Sequence, residues 1–147
     1  MISLPSLLTF VHLVGLAIGV GAATVKLMLL LKCRSNSGFI QVFIKVSKPI
    51  TKLIITGLIL LTLSGIGWLL MGYTFTTLLI IKIILVAAIW VLGPVIDNVI
   101  EPKFLKLALV NDQSSSPEFS AALTKYIVME LIATGLFYVI IIIWVLI

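Results

Sequence analysis

Charge and metal-binding side chains are scarce in this sequence. Of 147 residues only 10% are charged, the acidic ones number five, and there is one cysteine and one histidine. A soluble domain carries about a quarter charged residues. The hydrophobic fraction here is 62%, which leaves too little polar surface to coat a water-soluble globule. Cys33 alone excludes an intramolecular disulfide and any zinc site built from several cysteines. His12 alone excludes a bis-histidine haem within one chain. No phosphate-binding loop and no HExxH is present, and Gly19-Val20-Gly21 lacks the rest of a dinucleotide fingerprint. Nucleophile chemistry has one paper arrangement, His12 with Ser64, but Thr62-Leu63-Ser64-Gly65 is a generic fragment and triads are recognised by geometry.

What is present is a set of long apolar runs with a mean hydropathy of +1.36. A spanning helix needs about 20 mostly apolar residues. Four segments qualify, near 5–31, 50–71, 78–100 and 126–147. The runs are continuous rather than alternating, which rules out a membrane β-barrel. Helices satisfy their own backbone hydrogen bonds in lipid. The fold class expected is all-α, one integral domain of four transmembrane helices forming a bundle. Ser3 is a candidate N-cap with Pro5 in the first turn, and Gly72 to Thr77 breaks the second span from the third. Glu101-Pro102 is expected to stop the third span. Asn111 to Ser116 reads as a loop tip, after which Ser116 caps the fourth helix and Glu118 complements its dipole. The first 25 residues lack a basic leader, so the first span is expected to stay in the mature protein.

The net charge of +5 sits mainly in two segments. Loop 32–49 and its flank carry Lys32, Arg34, Lys45, Lys48 and Lys52; loop 101–125 carries Lys103, Lys106 and Lys125. Basic loops face the cytoplasm, so both termini and the 72–77 turn are expected outside, in a multi-pass plasma-membrane protein. The partners expected are the lipid bilayer and a second copy or a membrane partner subunit. The basic excess is accounted for by topology and implies no nucleic acid. Lys45, Lys48 and Lys52 share a helical face suited to cytoplasmic flanking or to anionic headgroups.

Ionisable side chains within spans are functional candidates by default. They are His12, Lys26, Lys82, Asp97 and Glu130. His12, Gly15, Gly19, Ala22 and Lys26 follow helical spacing and share one face. Gly15 and Gly19 form a GxxxG groove that admits another helix or a flat ligand. His12 and Lys82 fall near one level towards the outer end, with no carboxylate close in sequence. That pairing suits an acidic ligand, a cofactor or proton handling. Lys26 lies near the inner boundary, where it snorkels or pairs with Asp97 or Glu130, in structural or proton-handling roles.

With those stripes in view, the chain resembles a loose group of small four-span bacterial and archaeal membrane proteins, and more distantly the CopD copper-resistance and HemJ protoporphyrinogen-oxidase-like families. The matching pieces are His12 to Val25, Leu63-Ser64-Gly65-Ile66-Gly67, Ile81 to Val86, and Gly93 followed by Glu101-Pro102-Lys103. The resemblance implies that His12 and Lys82 stand where HemJ-like members use a first-span histidine and a third-span lysine for haem binding or catalysis. Where some relatives have a further histidine late in the third span, this sequence has Asp97. The resulting expectation is a haem- or porphyrin-associated redox protein, with His12 as axial ligand to a haem b iron, Lys82 beside a propionate, and Gly15 and Gly19 against the flat face. Its rival is a non-catalytic membrane subunit or small oligomeric carrier whose polar residues hold helices together.

Overall fold

The computed structural model describes residues 3–110 and 116–146. The long apolar runs form helices α1 (Leu4–Ser35), α2 (Gly38–Leu70), α3 (Thr77–Val95), α4 (Glu101–Leu109) and α5 (Pro117–Leu146). A π-helical turn, Ile96–Ile100, joins α3 to α4 without a break, giving one long helix from Thr77 to Leu109. Four helices are therefore long and apolar enough to cross a membrane, and no strand occurs among the described residues. This is the all-α, multi-pass architecture expected of the hydropathy runs.

Each start has a local cause. Ser3 Oγ accepts from the Ser6 amide at 3.4 Å, with Pro5 in the first turn. Thr76 Oγ1 accepts from the Leu79 amide at 3.2 Å, and Ser116 Oγ accepts from Phe119 at 3.1 Å. Each satisfies an amide that the first turn leaves without a helical partner. After α2 the chain reverses through Gly72 at φ +87°, a left-handed conformation that glycine adopts without steric cost.

Two expected boundaries move. The segment assigned to the loop 32–49 is helical on both sides of Asn36 and Ser37, because Ile40, Phe43 and Ser47 bury a face against the bundle while Lys45 and Lys48 stay exposed. Glu101-Pro102 does not stop the third helix. Proline has no amide to donate and its ring crowds the carbonyl four residues back. The π turn widens the helix just before it, with the Glu101 amide bonded to the Ile96 carbonyl. The helix thus runs on to Leu109 inside the expected loop 101–125. The expected tip at 111–115 and the final Ile147 lie outside the described residues.

α1 lies against α2 along much of its length and also packs on α5, while α3 packs on α5. Gly57 of α2 faces Gly15 and Gly19 of α1 so closely that a Cβ on Gly57 would overlap the Gly19 backbone and come within 2.7 Å of the Gly15 carbonyl oxygen. At the end away from the termini, Phe43, Phe104, Phe119 and Tyr126 are 0–4% exposed. Phe104 is 5.5 Å from both Phe119 and Tyr126, and Phe43 is 5.8 Å from Phe104, centroid to centroid. That end is sealed by aromatic packing, edge-to-face except for the tilted Phe104–Phe119 pair. At the termini end, α3 stands off from α2, and a chamber opens between them.

Candidate functional site

Two polar levels exist, and they differ in kind. The one nearer the sealed end centres on Lys26, whose side chain is 1% exposed. Its Nζ donates to Thr51 Oγ1 at 2.9 Å, Glu101 Oε2 at 3.0 Å and Asp97 Oδ1 at 3.3 Å, and it faces Glu130 Oε1 at 3.0 Å. An ammonium has three protons for these four acceptors, so the acceptors share them. Tyr126 Oη donates to the same Glu101 oxygen at 2.7 Å, and the Tyr126 ring lies 5.5 Å from Nζ. Both expected partners of Lys26, Asp97 and Glu130, are brought to it. Snorkelling to the interface is excluded by its burial. The cluster joins α1, α2, the π turn, α4 and α5, so it ties every long helix to one ammonium.

Glu101, Tyr126 and Thr51 are the members sequence reasoning missed. The expected helix stop at Pro102 hides Glu101, and Tyr126 and Thr51 carry no charge to mark them. Asp97 and Glu101 lie four residues apart, the spacing that places two side chains on one helical face. That signal was available, and the expected break at proline concealed it.

The level nearer the termini is a chamber of about 510 Å³. Its walls include His12, Leu16, Thr62, Lys82, Ile89 and Phe137, with Trp68, Tyr73 and Trp144 among the lining aromatics. The volume is that of a small-molecule or cofactor site, and the lining is mostly apolar, as such sites are. His12 and Lys82, expected at one level, do share this chamber. No Asp or Glu lines it, and among the described residues Lys82 makes no ion pair. Lys82 is thus a half-buried amine in a mostly apolar wall with no acidic side chain beside it in the lining.

His12 is held from behind. Its Nδ1 lies 2.8 Å from Ser64 Oγ. The Ser64 oxygen is also 2.7 Å from the Leu60 carbonyl oxygen and 3.0 Å from that of Leu61. The hydroxyl proton must point to these carbonyls, since otherwise three oxygens would meet lone pair to lone pair. Ser64 then accepts from Nδ1–H, and the lone pair of the imidazole is on Nε2. This arrangement excludes a His12–Ser64 nucleophile dyad, because Nδ1 has no lone pair with which to take the serine proton. The bond fixes the orientation of the imidazole ring.

Gly15 and Gly19 do not line the chamber. Of the two occupants their groove admits, helix α2 fills it through Gly57, so neither glycine offers a face to a flat ligand. A chamber-side glycine exists elsewhere: Gly65 lines it, with no atom within 4 Å of the position a Cβ would take. No cluster of three or more His, Cys, Asp or Glu suited to a metal ion occurs among the described residues, and His12 is the one imidazole in the chamber wall. Comparison with protein-family models, curated proteins and solved structures finds no match.

Proposed function

We propose that the protein is a plasma-membrane protein that holds an acidic, largely apolar cofactor in the chamber, haem b or a related porphyrin. The observation that carries this is the donor set: one oriented imidazole and one uncompensated lysine in a mostly apolar cavity of about 510 Å³. In this reading His12 would supply a nitrogen ligand to the iron and Lys82 would meet a carboxylate edge. The apolar walls exclude water from the ring, and the aromatic lining of Trp68, Tyr73 and Trp144 suits its flat faces. A bound haem would supply one-electron chemistry. The chain's own contribution is to bind, orient and shield it. The positive-inside rule orients the sealed, lysine-rich end to the cytoplasm and the chamber to the outer half of the bilayer.

The test is a spectrum. Protein purified in mild detergent from haem-replete cells, or titrated with haemin, gives a Soret band that His12→Ala removes and Lys82→Ala weakens. A colourless protein that also fails to shift the haemin spectrum refutes the reading. The Lys26 cluster favours a second reading, a non-catalytic membrane subunit or small oligomeric carrier, because its bonds hold helices together and need no ligand. Colourless protein that co-purifies with a defined membrane partner supports that alternative.

A further inference from the structure

The helices enclose the chamber on three sides only. α2 packs on α1, α1 on α5 and α5 on α3, but α2 and α3 do not complete the ring by close backbone packing. Near the sealed end the seam between them is closed by Phe43 of α2 against Phe104 of α4. Further along it is bridged by one side-chain hydrogen bond, Trp90 Nε1 of α3 to Thr62 Oγ1 of α2 at 3.1 Å. Thr62 lines the chamber, whereas the Trp90 side chain lies outside the lining and is 39% exposed on the outer face. From that bridge towards the termini, Gly65, Ile66 and Leu69 of α2 face Leu79, Ile83 and Val86 of α3 across the cavity. The flanks of this opening are helix surfaces that carry exposed Leu63, Leu70, Ile80 and Ile84, the composition of a face in contact with acyl chains.

We infer that the chamber opens sideways into the bilayer through the α2–α3 seam, and that its ligand is a membrane-dissolved acidic amphiphile rather than a water-soluble anion. The inference rests on the ligand-holding reading of the chamber and adds the route and the phase from which the ligand comes. An amphiphile sliding in from the lipid keeps its apolar body in apolar surroundings throughout. Its acidic group exchanges headgroup water for Lys82. A hydrophilic anion would gain little from walls of Leu, Ile, Val and Phe. The Trp90–Thr62 bond fixes the spacing of the two helices at the lower edge of the opening, so it sets how readily the seam widens.

The test is the kinetics of loading from a bilayer. Wild-type protein in nanodiscs is compared with Thr62→Val, which is isosteric, and Trp90→Phe, which keeps an aromatic ring; each removes the bond from one side. The probe is haemin delivered in lipid vesicles, with the fluorescent acidic lipid cis-parinaric acid as a second probe. Both variants are expected to load and release about three- to tenfold faster, the factor that one lost hydrogen bond yields, and Trp90→Phe, outside the lining, to do so with affinity nearly unchanged. Gly65→Trp, at a chamber-lining position with no atom within 4 Å of the added Cβ, places an indole at the wall beside the seam and is expected to slow loading. Normal affinity with unchanged rates in all three variants overturns the lateral route and leaves the chamber reading standing. Absence of both probes from the wild-type chamber refutes the two together.

Discussion

Replacing Lys26 by methionine is the sharpest test of how the bundle is held. Methionine keeps the length of the side chain but removes the ammonium that three carboxylates share at 3.0–3.3 Å. Glu101 and Glu130 are 5% and 4% exposed, so water cannot replace the lost partner. Asp97 is 24% exposed, and its share is discounted for solvent screening. Breaking a buried pair by removing one partner costs about 3–5 kcal/mol, mostly as the penalty of the stranded charge. For a chain of this size that is a fall in Tm of roughly 10–15 °C. The assay is thermal unfolding of the purified variant in mild detergent, followed by helical circular dichroism. Adding Glu130→Gln to Lys26→Met removes one stranded carboxylate and is expected to restore part of the loss. Glu130→Gln alone, which lowers a three-to-one excess of acid over base, is expected to cost much less than Lys26→Met. A Lys26→Met protein that melts within about 3 °C of wild type refutes the view that the ammonium is the tie.

Gly57→Ala should destabilise the protein, because the added Cβ meets the Gly19 backbone and forces α1 from α2, whereas Gly135→Ala, with nothing within 4 Å, should be tolerated in the same melting assay. Ser64→Ala is expected to weaken haemin binding about 10–100-fold, since the imidazole loses the group that orients it, while the helical spectrum is unchanged; an affinity equal to wild type would remove the argument for a fixed Nε2 lone pair. Phe43→Ala opens the aromatic seal and should cost about 3–5 kcal/mol in unfolding experiments. Ser116→Ala, which deletes the cap on α5, should cost about 1 kcal/mol and leave ligand binding untouched.

The four helices were legible because spanning requires long apolar runs, and no tertiary contact is needed to see them. Lys26, Asp97 and Glu130 were legible for a related reason: ionisable groups stand out against an apolar background. Glu101 was not, because proline ordinarily ends a helix and a π turn is a product of the packed structure rather than of local propensity. The fate of Gly15 and Gly19 was undecided in the sequence, since small residues admit a helix and a ligand equally well; only Gly57 opposite them settles which. Ser64 followed helical spacing with Gly57 and Trp68, but its hydrogen bond to His12 joins residues 52 apart and depends on how α1 crosses α2. The chamber itself is a property of where helices fail to meet, which no single helix encodes.

The two ends of the bundle have unequal plumbing. One is stoppered by four aromatic rings and a knot of charge; the other is hollow. Such a molecule is a cup rather than a pipe. On the ligand-holding reading, what enters such a cup would leave by the way it came unless the stopper is dismantled, so occupancy would follow exchange with one reservoir. That suits a holder that lends its contents to a neighbour in the same sheet of lipid better than one that passes them across.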